Sequence, residues 1–177
     1  LCLSRSTRLL RTTSSLAFTS QWLKSNPLLV TVRIFLGGNP HKIHINLSLE
    51  LEVGQFIEKY LTDKGFTVEI QEVQPNRNNI YAYLGSQKDT KVLLTSHIDT
   101  VPPFFGYYTK DGTIYGRGSN DAKGQVAAQA IAAIELVEAG EVAEEGDVGL
   151  LFVVGEEVDG IGMRYASNNL DASWEHV

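Results

Sequence analysis

Residues 148–154 (Val-Gly-Leu-Leu-Phe-Val-Val) run without a single polar side chain and end on Gly155-Glu156-Glu157. Such a run reads as a strand buried on both faces, the pattern of a sheet covered by helices on either side. A second short apolar strand, Val92-Leu93-Leu94-Thr95, precedes it, and a helical pattern lies between the two. There Val126, Ala130, Ile131, Ile134 and Val137 share one face, and Gly140 supplies the stop. Strand, helix and apolar strand in succession imply a βαβ unit with a right-handed crossover. The expected fold class is α/β, a mostly parallel sheet flanked by helices.

Regular patterning begins at Glu50. Val53, Ile57, Tyr60 and Leu61 fall on one face of an amphipathic helix, and Gly65 ends it as a left-handed cap would. Phe66, Val68 and Ile70 alternate with polar neighbours as a half-buried strand. Pro75-Asn76-Arg77-Asn78 is turn chemistry, residues 80–84 form a second strand, and Gly85-Ser86 with Lys88-Asp89 make a polar turn. The sequence therefore divides into a poorly patterned segment, 1–48, and a patterned unit, 49–177.

Charge follows the same division. The net charge of -6 over 177 residues hides a first segment of six bases and no acid, Arg5 to Lys42. All 21 acids come later, from Glu50 onward, so nothing after residue 45 suggests nucleic-acid binding. Residues 1–20 are rich in Ser, Thr and Arg, like a mitochondrial transit peptide, while Arg8 and Arg11 interrupt any secretory apolar core. A truncated or misassigned chain end is the other reading. One cysteine, Cys2, allows no internal disulfide, and no stretch is long and apolar enough to span a bilayer.

Three groups carry the chemistry. His97 and Asp99 are two apart in an extended segment and so face one side. Gly116-Arg117-Gly118-Ser119-Asn120-Asp121-Ala122-Lys123-Gly124 brings one acid to a helix entrance, and Glu156-Glu157 ends the buried strand. Each sits on the rim where open α/β sheets bind ligands. Taken singly, each is plain: a surface hydrogen bond, a turn, a solvated strand end. The glycine run is no phosphate loop, because Gly124 stands where Ser or Thr is needed, and Asp121 takes the third glycine position of a dinucleotide fingerprint. Jointly, Asp99, Asp121, Glu156 and Glu157 would crowd one rim, which divalent cations would neutralise. His41, His44 and His176 read as surface residues, and Lys123, Arg117 and Arg164 as structural or solvent-facing.

The segments 96–102, 116–124 and 155–157, in this order and spacing, resemble the M20 family of zinc metallopeptidases. That group includes acetylornithine deacetylase, succinyl-diaminopimelate desuccinylase, aminoacylase-1 and glutamate carboxypeptidase, and the likeness is greatest to fungal carboxypeptidase-like members. It covers about residues 50–177. It implies two zinc ions, with manganese or cobalt as substitutes, His97 binding one ion, Asp121 bridging both and Glu157 binding the second. Asp99 would orient His97, and Glu156 would act as general base. A cis peptide at Asp121-Ala122 is implied as well.

The reaction implied is hydrolysis of an amide bond in a small peptide or N-acyl amino acid, with no nucleic acid or membrane involved. The family's complete site adds a later carboxylate and a distant histidine, both expected beyond Val177; Glu175 comes too early. The family's smaller lid domain, through which the parent would form homodimers, is expected to be absent from these residues. The 177 residues alone are therefore expected to be catalytically inactive. The alternatives are a non-catalytic metal-binding or regulatory fragment, or a gene-model product without stable function. A secreted or vacuolar location follows from the resemblance, and a mitochondrial one from the N-terminal composition.

Overall fold

The computed structural model of the chain describes residues 47–106, 108–111, 113–142 and 145–177. The readings made for the basic N-terminal segment, with Cys2, His41 and His44, fall on residues outside these, apart from Leu47 and Ser48. Those two begin helix α1 (Leu47–Asp63), whose Val53, Ile57 and Leu61 are buried. Gly65 follows at φ 89°, the left-handed conformation that releases the chain into a strand.

Strands β1 (Phe66–Gln74) and β2 (Arg77–Leu84) form an antiparallel hairpin. The turn is shorter than the sequence suggests. Arg77 and Asn78 pair with Gln74 and Glu72 and belong to β2, which leaves Pro75 and Asn76, the latter at φ 64°, to reverse the chain. Next come β3 (Thr90–His97) and a small hairpin, β4 (Tyr108–Lys110) with β5 (Thr113–Tyr115), where only a loop was expected. Asp111-Gly112 between two Tyr/Thr-rich triplets was the available signal. Helix α2 (Lys123–Glu138), β6 (Val148–Val153), α3 (Ile161–Asn169) and β7 (Trp174–His176) complete the order.

The main sheet is ordered β1-β2-β6-β3-β7. β2 is antiparallel to both β1 and β6, whereas β3 runs parallel to β6 and β7. All its strands but β2 therefore point the same way, giving a mixed, mostly parallel sheet with flanking helices.

Alternation along the strands explains why both faces are covered. On one face Ile80, Ala82, Leu84, Leu150 and Phe152 join Leu61 of α1 and Ala130 and Ile134 of α2. On the other, Tyr81, Tyr83, Leu151 and Val153 pack with Ala166 of α3, Leu170 and Trp174. β6 lies between β2 and β3, and every residue in it is buried. Fully burying a side chain such as Phe152 or Leu150 stabilises by about 1.5–3 kcal/mol.

Candidate metal centre

The site gathers at one end of β3 and β6, where parallel strands deliver their last residues side by side. His97 is the final residue of β3 and pairs in register with Val153 of β6. Ile98 donates its N–H to the Val153 carbonyl at 2.9 Å, which carries the pairing one residue further and sets Asp99 beside the end of β6. Gly155, at φ 72°, then turns the chain so that Glu156 and Glu157 face that point. A side chain at Gly155 would meet Ile161 Cγ2 at 2.7 Å, so this glycine is required twice over.

The third contributor arrives through the glycine-rich segment. Ser119 N–H bonds to the Gly116 carbonyl at 3.1 Å and Lys123 N–H to the Gly118 carbonyl at 3.0 Å, coiling the chain into α2. The Ser119 carbonyl lies so close to the helix start that a Cβ on Gly124 would sit 2.3 Å from it. Asp121 projects from this coil, next to a cis Asp121-Ala122 peptide bond.

His97 and Asp99 are buried at 8% and 6% exposure, whereas the Asp121 and Glu156 side chains are open to solvent. His97 Nδ1 lies 3.2 Å from the Asp99 carbonyl oxygen and 3.4 Å from its Oδ1. His97 Nε2 lies 3.1 Å from Asp121 Oδ1 and 3.7 Å from Glu156 Oε2. Asp99 also accepts the backbone N–H groups of Glu156 and Glu157, each at 3.2 Å. One ligand atom from each of His97, Asp121 and Glu157 falls within 4.8 Å of the others.

This donor set suits a cation. With an Nδ1 proton directed at Asp99, the Nε2 lone pair of a neutral imidazole points at Asp121 Oδ1, itself a lone-pair donor. Two acceptors at 3.1 Å need a proton or a metal ion between them. Among the described residues no Lys or Arg forms an ion pair with Asp121, Glu156 or Glu157. Lys123, the residue after the cis bond, is half-buried, and its Nζ approaches Gly118. Burial pulls its pKa below the usual lysine range, partly opposed by the Asp99 and Glu50 carboxylates.

Of the other basic residues, Arg117 stacks over Phe105 at 4.9 Å and donates to the Pro103 carbonyl. Arg164 is exposed beside Asp159, and His176 is exposed. Three residues close to the site carry no site role in the sequence reading: Glu50, Arg77 and Asn79. Asn79 was detectable as an amide next to the apolar stretch 80–84; Arg77 was absorbed into a turn.

A family profile described as "Peptidase family M20/M25/M40" matches residues 93–176. A peptidase M20 domain-containing protein of Schizosaccharomyces pombe is 55% identical over 143 residues, covering 79% of this chain and 33% of the relative. A "Probable carboxypeptidase" of Aspergillus clavatus is 45% identical over 149 residues, covering 77% of this chain and 35% of the relative. The chain thus spans about a third of the length of the curated relatives it matches. Among solved structures, an M20 family metallo-carboxypeptidase from Sulfolobus solfataricus matches with TM-score 0.63 and 19% identity, over 86% of this chain and 38% of that one. A tripeptidase from Staphylococcus aureus matches with TM-score 0.58 and 23% identity, over 83% and 42%. Both share the mixed sheet and its flanking helices.

Proposed function

Because the chain belongs to the M20/M25/M40 peptidase family, we propose that residues 49–177 are the N-terminal part of the catalytic domain of a zinc-dependent amide hydrolase. Its substrates would be small peptides or N-acyl amino acids. The observation that carries this reading is the 3.1 Å approach of His97 Nε2 to Asp121 Oδ1, with Glu157 close by. His97, Asp121 and Glu157 would hold the metal, with Asp121 bridging if two ions bind. Imidazole and carboxylate donors with no thiol favour zinc, and manganese or cobalt could replace it.

When bound, the metal would polarise the scissile carbonyl and supply a nucleophile at neutral pH. The protein's own residues do the rest. Asp99 fixes the His97 ring so that Nε2, rather than Nδ1, faces the cluster. By accepting the Glu156 and Glu157 N–H groups, it also sets both glutamates relative to that ring. The exposed Glu156 carboxylate lies 3.7 Å from Nε2 and would take a proton from an attacking water and return it to the leaving amine.

Three donors among the described residues are the protein-ligand count of a catalytic zinc site, which keeps its fourth position open. The second reading is a metal-binding chain without catalysis, which the solvent exposure of the Asp121 and Glu156 side chains favours.

Titration of the purified chain with zinc and cobalt(II), alongside a hydrolysis assay on N-acetyl amino acids and dipeptides, tests both. Metal binding that is lost in His97→Ala supports the metal centre, and binding without turnover supports the second reading. No metal binding by the unaltered chain overturns both. Turnover at ordinary enzymatic rates, abolished in Glu156→Ala, overturns the expectation of inactivity.

A further inference from the structure

The loop that carries Glu156 and Glu157 is gripped on the side away from His97 by side chains that no metal would touch. β2 places Arg77 and Asn79 on one face, two residues apart. Asn79 is fully buried, and its amide spans both ends of the loop. Its Oδ1 accepts the Val154 N–H at 3.2 Å, and its Nδ2 donates to the Gly162 carbonyl at 2.8 Å. A second, longer contact from Nδ2 reaches Gln71 Oε1 at 3.4 Å. Gly162 N–H bonds to the Val154 carbonyl at 3.0 Å, so the ends of the loop are also tied to each other. The Gly155 carbonyl accepts the N–H of Gly160 at 2.8 Å, which closes the turn.

Arg77 abuts the turn itself. A Cβ on Gly155 would lie 3.2 Å from Arg77 Nη2. The guanidinium cannot easily withdraw, because Nε and Nη2 donate to Glu50 Oε2 and Oε1 at 2.6 and 3.0 Å. Nη1 donates to Gln74 Oε1 at 3.0 Å. The side chains of Arg77 and Glu50 are only 14% and 12% exposed, so the fork geometry is held by its surroundings. A buried polar network of this kind specifies one arrangement, and removing a member leaves its partners unsatisfied.

We infer that Asn79 and Arg77 are positioning residues, which set the 154–162 loop in register with His97 and so determine where the Glu156 and Glu157 carboxylates stand. Asp99 holds the front of the loop, and β2 holds its back. The inference rests on the reading above that this glutamate pair is the functional part of the loop. It adds that the pair's placement is decided by a strand contributing nothing to the metal cluster.

The test is amide hydrogen exchange on the full metal-free chain, read by NMR at the Glu156 and Glu157 N–H groups, with Leu150 and Leu151 of β6 as internal references. Asn79→Asp keeps the shape and the acceptor for Val154 but replaces the donor to Gly162. Arg77→Met keeps much of the stem and removes the fork. Each should speed exchange at Glu156 and Glu157 roughly tenfold while leaving Leu150 and Leu151 within about twofold. Unchanged exchange at the glutamates overturns the proposal. So does equal acceleration in β6, which would make these residues general scaffold. Cobalt(II) titration of the same samples judges the metal centre separately. If the unaltered chain binds no cobalt, the metal reading falls, and the exchange comparison still decides positioning. If it binds, the variants should bind roughly tenfold more weakly.

Discussion

Asp99 and Glu157 are joined by a 3.2 Å hydrogen bond in which the Asp99 carboxylate accepts the Glu157 backbone N–H. The other Asp99 oxygen accepts the Glu156 N–H and stands 3.4 Å from His97 Nδ1. One buried carboxylate therefore ties the end of β3 to the turn after β6. It couples the imidazole of the cluster to the backbone that presents both glutamates.

Asp99→Asn should weaken metal binding without unfolding the protein. The amide keeps the size of the carboxylate, but one of its two positions becomes an NH2 facing a backbone N–H or the His97 ring. Loss of such an orienting partner lowers metal affinity about 10–100-fold. Competition against a chromophoric zinc chelator measures this directly, and an affinity within twofold of the unaltered chain would count against the role given to Asp99.

Metal removal should lower stability, and Asp121→Asn should cancel the difference. A ligand present at 100 times its Kd stabilises the folded state by about 2.7 kcal/mol. Without metal, Asp121 stands near Glu156 and Glu157 with no Lys or Arg partner among the described residues, so Asn at this position relieves repulsion. The expected pattern is a melting temperature that falls on chelation in the unaltered chain. In Asp121→Asn it should be insensitive to chelation and no lower than that of the metal-free parent. Calorimetry with and without chelator checks both halves, and a zinc-induced rise that survives the substitution would remove Asp121 from the ligand set.

Much of this architecture was legible in the sequence because burial leaves a periodic record. The unbroken apolar run 148–154 demanded cover on both faces, and β6 lies at the sheet interior with α1 and α2 on one side and α3 on the other. The groups His97/Asp99, Asp121 and Glu156/Glu157 stood at strand or helix ends, and parallel pairing of β3 with β6 brings those ends together. Arg77 and Asn79 were not legible in the same way. Their importance lies in contacts to residues far along the chain, Glu50, Val154 and Gly162, which local periodicity does not encode. The β4–β5 hairpin was missed for a different reason. Its strands have three residues each, too few for alternation to register.

Gly162→Ala should destabilise strongly, although alanine is the better helix former. An added Cβ would lie 2.2 Å from the Val154 carbonyl oxygen and 2.7 Å from Asn79 Oδ1. Neither neighbour is the free end of a flexible side chain: one is backbone, and the other is bound to Val154 N–H. Overpacking of this kind costs about 1–3 kcal/mol or more. The propensity gain of Ala over Gly, roughly 1 kcal/mol, does not offset the upper part of that range. Urea unfolding monitored by Trp fluorescence should show a lower midpoint with an unchanged slope; a higher midpoint would mean that the loop can shift away.

Asp89 supplies the pH-dependent prediction, at a point far in sequence from its partner. Its Oδ1 accepts the Ser173 backbone N–H at 2.7 Å and the Ser173 hydroxyl at 2.8 Å, while the Ser173 carbonyl accepts Thr90 N–H at 2.9 Å. Together these pin the entry to β7 against the start of β3. The Ser173 hydroxyl, and then its backbone N–H, hold the Asp89 carboxyl below the usual aspartate range. In the unfolded chain Asp89 titrates near about 3.9, so over the interval just below that value the unfolded state binds more protons than the folded one. The stabilisation is therefore complete at neutral pH and disappears as pH falls through the folded-state pKa. Asp89→Asn should be less stable than the unaltered chain at neutral pH, and the gap should close in strong acid, where both carry a neutral side chain. Urea midpoints compared across that pH range decide it. A gap that stays constant into acid would assign the effect to the shape of the amide and not to the charge on Asp89.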